Sequence, residues 1–391
     1  MSRDSLRVLF YSHNGVGLGH FRRQLRLASA LRRRRPDAAI LLVTGSYAAG
    51  ALSGPLGFDI VSLPSIRKVD RSETWEPRQP GLSIREVMRM REDLLRRTVR
   101  RFRPDLLLAD HIPAGPYGEL LGALEELAAD GGRAVAGFRD IVDEPAFVRD
   151  LWSRTGVYDV LREHYAAVLV YGVPEVVDFA ADYGLDEDVT TRLQYVGYLG
   201  RSAPRSDTDP DSPRAILACT GGGVDGGTLL EMFIHAAREL QPWLGPQLVV
   251  GGPLLSPSEL RRLRAIADGL PIKVKSFVSD LGETVAASDI VVTMPGYNTI
   301  CELLSGQARA IVVPRAGPSQ EQRIRAAWLE SWGRACVLEP LTLDVEPLID
   351  AIRAKLSEPS PPSAPVPLDG VERAVSLLEV HAAERASWAG R

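Results

Sequence analysis

Short apolar runs, bounded by glycine, proline or polar residues, alternate along this chain with stretches that read as loops and helices. In the first half, residues 6–11, 40–44, 58–63, 104–109, 133–138, 167–171 and 193–196 read as strands. Helices are predicted from the first glycine-rich loop to about Arg35 and over 83–102. Residues 200–213, GRSAPRSDTDPDSP, turn to Ser, Pro, Asp and Arg and read as a linker. The alternation then restarts, with strands at 214–219, 248–251, 272–277, 290–293, 310–313 and 335–338. Helices are expected at 229–240, about 299–304, a stretch carrying Glu321, Gln322 and Arg325, and 345–356, with a last one at about 370–386. Short, β-branched runs suit strands of a parallel sheet covered on both faces. Repeated strand, loop and helix units predict an α/β protein, and 391 residues exceed what one core usually serves. Two doubly wound Rossmann-like domains are therefore expected, 1–199 and 214–358, followed by a Pro-rich segment and helix over 359–391.

In open α/β sheets ligands bind beyond the carboxyl ends of the strands, so the loops there are the place to look for chemistry. After strand 290–293 comes Pro295-Gly296, where Gly296 lets backbone approach a ligand closely. Tyr297, Asn298 and Thr299 lead into a helix whose unpaired N–H groups suit a phosphate. One turn on stands Glu302, an acceptor for a pair of sugar hydroxyls beside that phosphate. The loop after strand 214–219 contains Gly221, Gly222, Gly223, Gly226 and Gly227, whose free N–H groups suit a diphosphate.

The order P-G-x-x-T-x-x-E-L, then V-P, then E-Q-x-x-R-A resembles the donor-binding signature of two-domain GT-B fold glycosyltransferases. The nearest branch contains the N-acetylglucosaminyltransferase of the lipid-linked peptidoglycan precursor. The resemblance implies facing doubly wound domains (GT-B), with the last helix crossing back onto the first. It implies that Glu302 holds ribose hydroxyls, backbone near Asn298 and Thr299 meets the diphosphate, and Glu321 and Gln322 reach the transferred sugar. By the same likeness Phe277 and Val278 hold the nucleotide base. Glu321 is a departure, since relatives often carry Gln or Asp-Gln there.

The N-terminal loop, Ser12-His13-Asn14-Gly15-Val16-Gly17-Leu18-Gly19-His20, lacks the dinucleotide G-x-G-x-x-G spacing, and no acidic residue closes strand 40–44. NAD is not expected, nor any other cofactor. The loop resembles the G-G-T-G-G-H loop of the same branch at Gly17, Gly19 and His20, which implies that His20 faces the reaction centre; otherwise it caps or packs the helix. His13 is a second candidate. Asp110 and His111 follow strand 104–109, where Asp110 either orients His20 or His111 as a general base or caps the next helix. His20 is the first choice of base, with Asp110 or His111 as alternatives.

A net charge of -4 gives no reason to expect a nucleic-acid partner. Cys219, Cys301 and Cys336 suit neither a disulfide framework nor a metal set, which favours a reducing cytoplasm. No apolar run spans a bilayer and the chain opens straight into a strand, so a cytosolic protein is expected. The run Arg32 to Arg35 complements a helix C-terminus or offers a peripheral membrane contact. The polar stretch 65–81 reads as an acceptor-side loop or a disordered insertion, and the Arg-rich helix after it as a solvated face or a surface for an anionic acceptor.

With these readings, the resemblance implies an inverting glycosyltransferase that moves a sugar from a nucleotide sugar, UDP-sugar favoured, to a hydroxyl of a small-molecule, lipid or polysaccharide acceptor. Asp207, Asp209 and Asp211, the Asp-x-Asp spacing, lie in the linker and not at a strand end, so no metal is expected. The alternatives are a nucleotide-sugar 2-epimerase of the same fold and a non-catalytic nucleotide-sugar-binding protein.

Overall fold

The first apolar run, RVLFYS, has no exposed position, and it becomes the centre of a parallel sheet in a computed structural model of the chain. The structure describes residues 5–13, 18–47, 49–50, 56–69, 74–201, 215–241 and 244–384. Two units separate: the chain through Tyr198 together with the part from Asp369 onward, and Leu199–Leu368.

The first unit runs β1 (Arg7–Ser12), α1 (Gly19–Arg34), β2 (Ala39–Thr44), β3 (Asp59–Ser62), β4 (Ile66–Lys68), β5 (Trp75–Pro77), α2 (Ile84–Phe102), β6 (Leu106–Asp110), α3 (Leu121–Ala129) and β7 (Arg133–Arg139). It continues with α4 (Pro145–Thr155), α5 (Val157–His164), β8 (Tyr165–Tyr171), α6 (Phe179–Tyr183), α7 (Glu187–Thr190) and β9 (Leu193–Tyr195). Its large sheet has the order β3-β2-β1-β6-β7-β8-β9, with every neighbouring pair parallel. The strands β1 and β6 are buried on both faces, as a sheet covered by helices on each side requires.

The second unit runs β10 (Ile216–Cys219), α8 (Gly227–Leu240), β11 (Gln247–Val250), α9 (Pro257–Ile266), β12 (Ile272–Lys275), α10 (Leu281–Ala286), β13 (Ile290–Thr293), α11 (Tyr297–Ser305), β14 (Arg309–Val312), α12 (Glu321–Ser331), β15 (Ala335–Val337) and α13 (Val345–Ser357). Its sheet order is β12-β11-β10-β13-β14-β15, again parallel throughout. The last helix, α14 (Gly370–Ala383), belongs to the first unit and lies against α1 and the strands β6 to β8. Val371, Ala374, Val375 and Leu378 are its buried stripe, and Arg34 of α1 reaches Glu379 at 2.8 Å.

Three expectations need correction. The stretch 65–81 carries an antiparallel hairpin, Ile66 opposite Pro77 and Lys68 opposite Trp75. Ile66 and Trp75 are buried with Val87 of α2, which gives an otherwise polar segment enough apolar contact to order. The strand expected over 272–277 stops at Lys275, where its ladder with β11 ends, so Phe277 and Val278 lie on a loop. Finally, the arginines of α2 do not all face solvent or a bound acceptor: Arg91 is fully buried. Among the described residues no helix is long and apolar enough to cross a membrane.

Candidate active site

Each sheet reverses its strand order once, between β1 and β6 in the first unit and between β10 and β13 in the second. Loops leaving neighbouring strands diverge at such a point, and ligands bind in the space they leave. The sequence-predicted residues gather at both places.

In the first unit Ser12 of β1 stands opposite Asp110 of β6. His13 follows β1, His111 follows β6, and His20 is the second residue of α1. Ring centroids are 5.0 Å apart for His13 and His20, and 4.8 Å apart for His20 and His111. His20 Nδ1 lies 2.8 Å from Asp110 Oδ2, which also accepts from Arg23 at 2.9 Å. Arg23 comes within 2.6 Å of His20 Nδ1 as well. These contacts at Nδ1 exclude each other as hydrogen bonds, since the nitrogen carries either a proton for Asp110 or a lone pair for Arg23. The carboxylate is the stronger acceptor and Arg23 already donates to it, so we assign Nδ1–H to Asp110 and leave the lone pair on Nε2.

Burial lowers the His20 pKa and Arg23 adds to this, while Asp110 opposes both; the net value lies below the ordinary imidazole range. For Asp110 burial acts upward, but Arg23 and His20 outweigh it and hold the carboxyl below the usual carboxylate range. The outcome is a neutral imidazole oriented by an ionised carboxylate, an arrangement able to take a proton from a hydroxyl. Asp110 does not cap α3; its Oδ2 is taken by His20 and Arg23 instead.

His13 and His111 surround this pair. Burial first, then His20 and nearby cations, push both imidazoles well below their ordinary value. Both Nδ1 atoms are buried with no hydrogen-bond partner among the described residues. His111 adopts φ 74°, a left-handed conformation that costs a non-glycine residue about 1–3 kcal/mol. Gly19 opens α1, whereas Gly17 lies outside the described residues.

Sequence reasoning missed two supports of this cluster. Arg23 lies one helical turn beyond His20, and that i,i+3 spacing was the available signal. Arg91 donates to both oxygens of buried Glu119, to the Pro64 carbonyl at 2.6 Å and to the His13 carbonyl at 3.1 Å. Tyr11 donates to Glu119 at 2.5 Å. Nothing in an Arg-rich helix distinguishes Arg91 from its neighbours.

In the second unit Cys219 of β10 pairs with Thr293 of β13, so the loops after them begin side by side. The glycine-rich loop ends at Gly226, the N-cap of α8. A Cβ on Gly223 would stand 2.3 Å from the Gly251 carbonyl, and one on Gly226 2.2 Å from Thr220 Cβ, so neither position admits a side chain without movement. A Cβ on Gly222 would meet nothing nearer than Leu254 at 3.8 Å, and Gly296 has open space. Gly296 is the N-cap of α11, which puts Tyr297, Asn298 and Thr299 in its first turn, with N–H groups that no earlier turn can satisfy. A Cβ on Gly221 would lie 3.5 Å from Thr299 Oγ1, so the glycine-rich loop begins beside the first turn of α11.

The Tyr297 ring is buried, and its hydroxyl accepts from the Leu199 N–H at 3.2 Å; its side chain is committed to packing and only its backbone is at the helix start. Glu302 is buried, with Oε2 over Gly282 at the start of α10. Phe277, 41% exposed, and half-buried Val278 precede that helix. Glu321 and Gln322 open α12, both buried. Gln322 Oε1 accepts from the Arg315 N–H at 3.0 Å, and the Arg315 side chain pairs with Asp225 of the glycine-rich loop. Asp207, Asp209 and Asp211 lie outside the described residues. Among the described residues no group of three His, Cys, Asp or Glu side chains is arranged to hold a metal.

Residues 252–366 match the glycosyltransferase family 28 C-terminal domain. Over 367 residues, 92% of this chain and 89% of the relative, it is 24% identical to the UDP-N-acetylglucosamine--N-acetylmuramyl-(pentapeptide) pyrophosphoryl-undecaprenol N-acetylglucosamine transferase of Porphyromonas gingivalis. The Rhodopseudomonas palustris (strain HaA2) enzyme of the same description is 29% identical over 60% of this chain and 66% of its own length. Among solved structures, MurG of Acinetobacter baumannii aligns with TM-score 0.60 at 16% identity, covering 96% of this chain and 99% of its own. The calicheamicin glycosyltransferase CalG4 aligns with TM-score 0.59 at 16% identity, covering 98% and 95%.

Proposed function

We propose, from the premise that this chain is a GT-B glycosyltransferase with a family 28 C-terminal domain, that it moves a sugar from a UDP-sugar to an acceptor hydroxyl with inversion and without a metal. The observation that carries this reading is the His20–Asp110 pair, 2.8 Å apart at the strand-order reversal of the first unit. Nδ1–H is held by the carboxylate, and Nε2 is free to take the proton of the attacking hydroxyl as that oxygen displaces the nucleoside diphosphate in one step. His13 and His111 border the place where that hydroxyl sits.

In the second unit the diphosphate meets the N-termini of α8 and α11, where aligned peptide dipoles and first-turn N–H groups stabilise negative charge as the leaving group departs. Gly222 and Gly223 bring backbone to it, Gly296 to Thr299 supply the second cradle, Glu302 takes the ribose hydroxyls and Phe277 with Val278 carries the base. Glu321 and Gln322 reach the sugar. Two helix starts do the work that a cation does in metal-dependent transferases, so chelation should leave turnover intact.

The Porphyromonas and Rhodopseudomonas relatives are named for a lipid-linked muramyl acceptor, and CalG4 for a small natural product. We take the acceptor class to be one of these two, and a lipid-linked acceptor would bring the chain to a bilayer surface as a peripheral protein. Neither the 2-epimerase nor the non-catalytic reading is favoured by these matches. The test is a thermal-shift and calorimetry panel of UDP, GDP, dTDP and their sugars on the wild type and Glu302→Ala. UDP should raise the unfolding midpoint of the wild type by mass action, and Glu302→Ala should lose most of that rise. Absence of UDP binding to the wild type would overturn the reading.

A further inference from the structure

Arg325 lies within the proposed donor site, is 1% exposed, and has no part in the proposed transfer. Its Nη1 donates to the Pro295 carbonyl at 2.8 Å and stands 2.9 Å from Glu321 Oε2. Its guanidinium carbon is 5.9 Å from the centroid of the Tyr297 ring. Pro295 leads into Gly296, the N-cap of α11, and Glu321 is the first residue of α12. One planar, permanently charged group therefore ties the turn that opens α11 to the carboxylate that heads the next helix.

The fold alone does not call for a charge here. Ala326 and Leu329 beside it on α12 are apolar and buried, and a buried ion pair replaced by apolar groups of similar volume is often neutral or stabilising. What an apolar residue cannot do is fix the distance between a backbone carbonyl and a carboxylate.

We propose that Arg325 is a positioning residue of the donor site, registering the Pro295–Gly296 turn against Glu321 so that diphosphate and transferred sugar are held in one geometry. This rests on the donor site proposed for the second unit. UDP touches only the nucleotide side of that register, whereas a UDP-sugar touches both sides. Arg325 thus matters more for the sugar-bearing donor than for UDP.

The experiment is calorimetric titration of UDP, UDP-glucose and UDP-N-acetylglucosamine into full-length wild type, Arg325→Lys, Arg325→Met and the double variant Glu321→Gln/Arg325→Met, with thermal unfolding of each. In the wild type the better UDP-sugar should bind more tightly than UDP. In Arg325→Lys, which reaches either partner but not both, UDP should weaken by less than about threefold and the UDP-sugar by about tenfold or more. Arg325→Met alone leaves Glu321 buried without its cation and should unfold at lower temperature. The double variant should recover that loss while still failing to favour the UDP-sugar.

A wild type that does not bind UDP overturns the donor-site reading itself. A wild type that binds UDP but gains nothing from the sugar overturns the positioning role, as do Arg325 variants that weaken UDP and UDP-sugar by the same factor. A shift in unfolding temperature with an unchanged ratio of the two affinities would leave Arg325 a packing residue only.

Discussion

Burial and two neighbours set the proton affinity of His20, with Arg23 and Asp110 acting in opposite directions. Asp110 raises it and orients the ring, whereas burial and Arg23 lower it. His20→Ala should reduce kcat/KM by about 10²–10⁴-fold, the usual worth of a general base, and leave UDP affinity unchanged because UDP brings no hydroxyl to be deprotonated at that ring. Only the neutral ring accepts a proton, and its pKa is depressed. The acid limb of the pH profile should therefore fall below the ordinary imidazole value, with activity kept as pH drops to about 6.5. Asp110→Asn removes the influence that raises the pKa, so the limb should move further down while kcat falls for want of orientation. Arg23→Gln removes a lowering influence and should move it up. An Asp110→Asn profile displaced toward higher pH would contradict the assignment. His13, His20, Asp110 and His111 were legible in sequence because each stands at the end of an apolar run or the start of the helix after it. Arg23 offered only its i,i+3 spacing from His20 and Arg91 no signal, because an arginine in a helix gives no sign of which way it turns until the buried carboxylate that receives it is placed, Asp110 by β6 and Glu119 by the turn before α3.

At the scale of elements, the central strands of both sheets were legible to within a residue or two, since β1, β6, β10 and β13 are buried on both faces and their apolar runs stop where the ladder stops. The hairpin β4–β5 was not, because Ile66 and Trp75 are the buried anchors of a segment otherwise made of charges and prolines. The start of α11 was placed late, at Thr299 instead of Tyr297, because a buried Tyr reads as a loop aromatic beside Pro295-Gly296. That shift matters, since it puts Tyr297, Asn298 and Thr299 in the first turn, whose backbone donors have no acceptor in an earlier turn of the helix. The glycine-rich loop before α8 offers a clean test of whether a ligand approaches it. Gly222→Ala adds a methyl that meets nothing closer than 3.8 Å in the protein, so unfolding temperature should not change. If backbone contacts the diphosphate there, UDP should weaken by about tenfold, or about 1.4 kcal/mol. Gly226→Ala differs, because its methyl meets Thr220 and should disturb the loop with or without ligand. Equal UDP affinity in the wild type and Gly222→Ala would move the diphosphate away from this loop.

Across the whole molecule the chain leaves the first unit at Tyr198 and returns to it at Asp369, and departure and return touch: the Gly370 N–H donates to the Tyr198 carbonyl at 3.1 Å. A Cβ on Gly370 would stand 2.6 Å from the carbonyls of Gly197 and Tyr198, so the two crossings pack as closely as backbone allows. The returning helix, α14, fills the flank of the first sheet with Val371, Ala374, Val375 and Leu378 against α1 and β6 to β8. A helix far along the sequence thereby completes the core that holds β1, β6 and the histidine cluster. Leu378→Ala should cost about 2–5 kcal/mol, the range for emptying a buried leucine site, and the loss should fall on the first unit. Hydrogen exchange read by mass spectrometry separates the units: peptides of β6 to β8 should exchange faster in the variant, while those of β10 to β13 keep their rates and their protection by UDP. Faster exchange in both sets would mean that the units open as one cooperative body, and that α14 stabilises the donor site as well as the base.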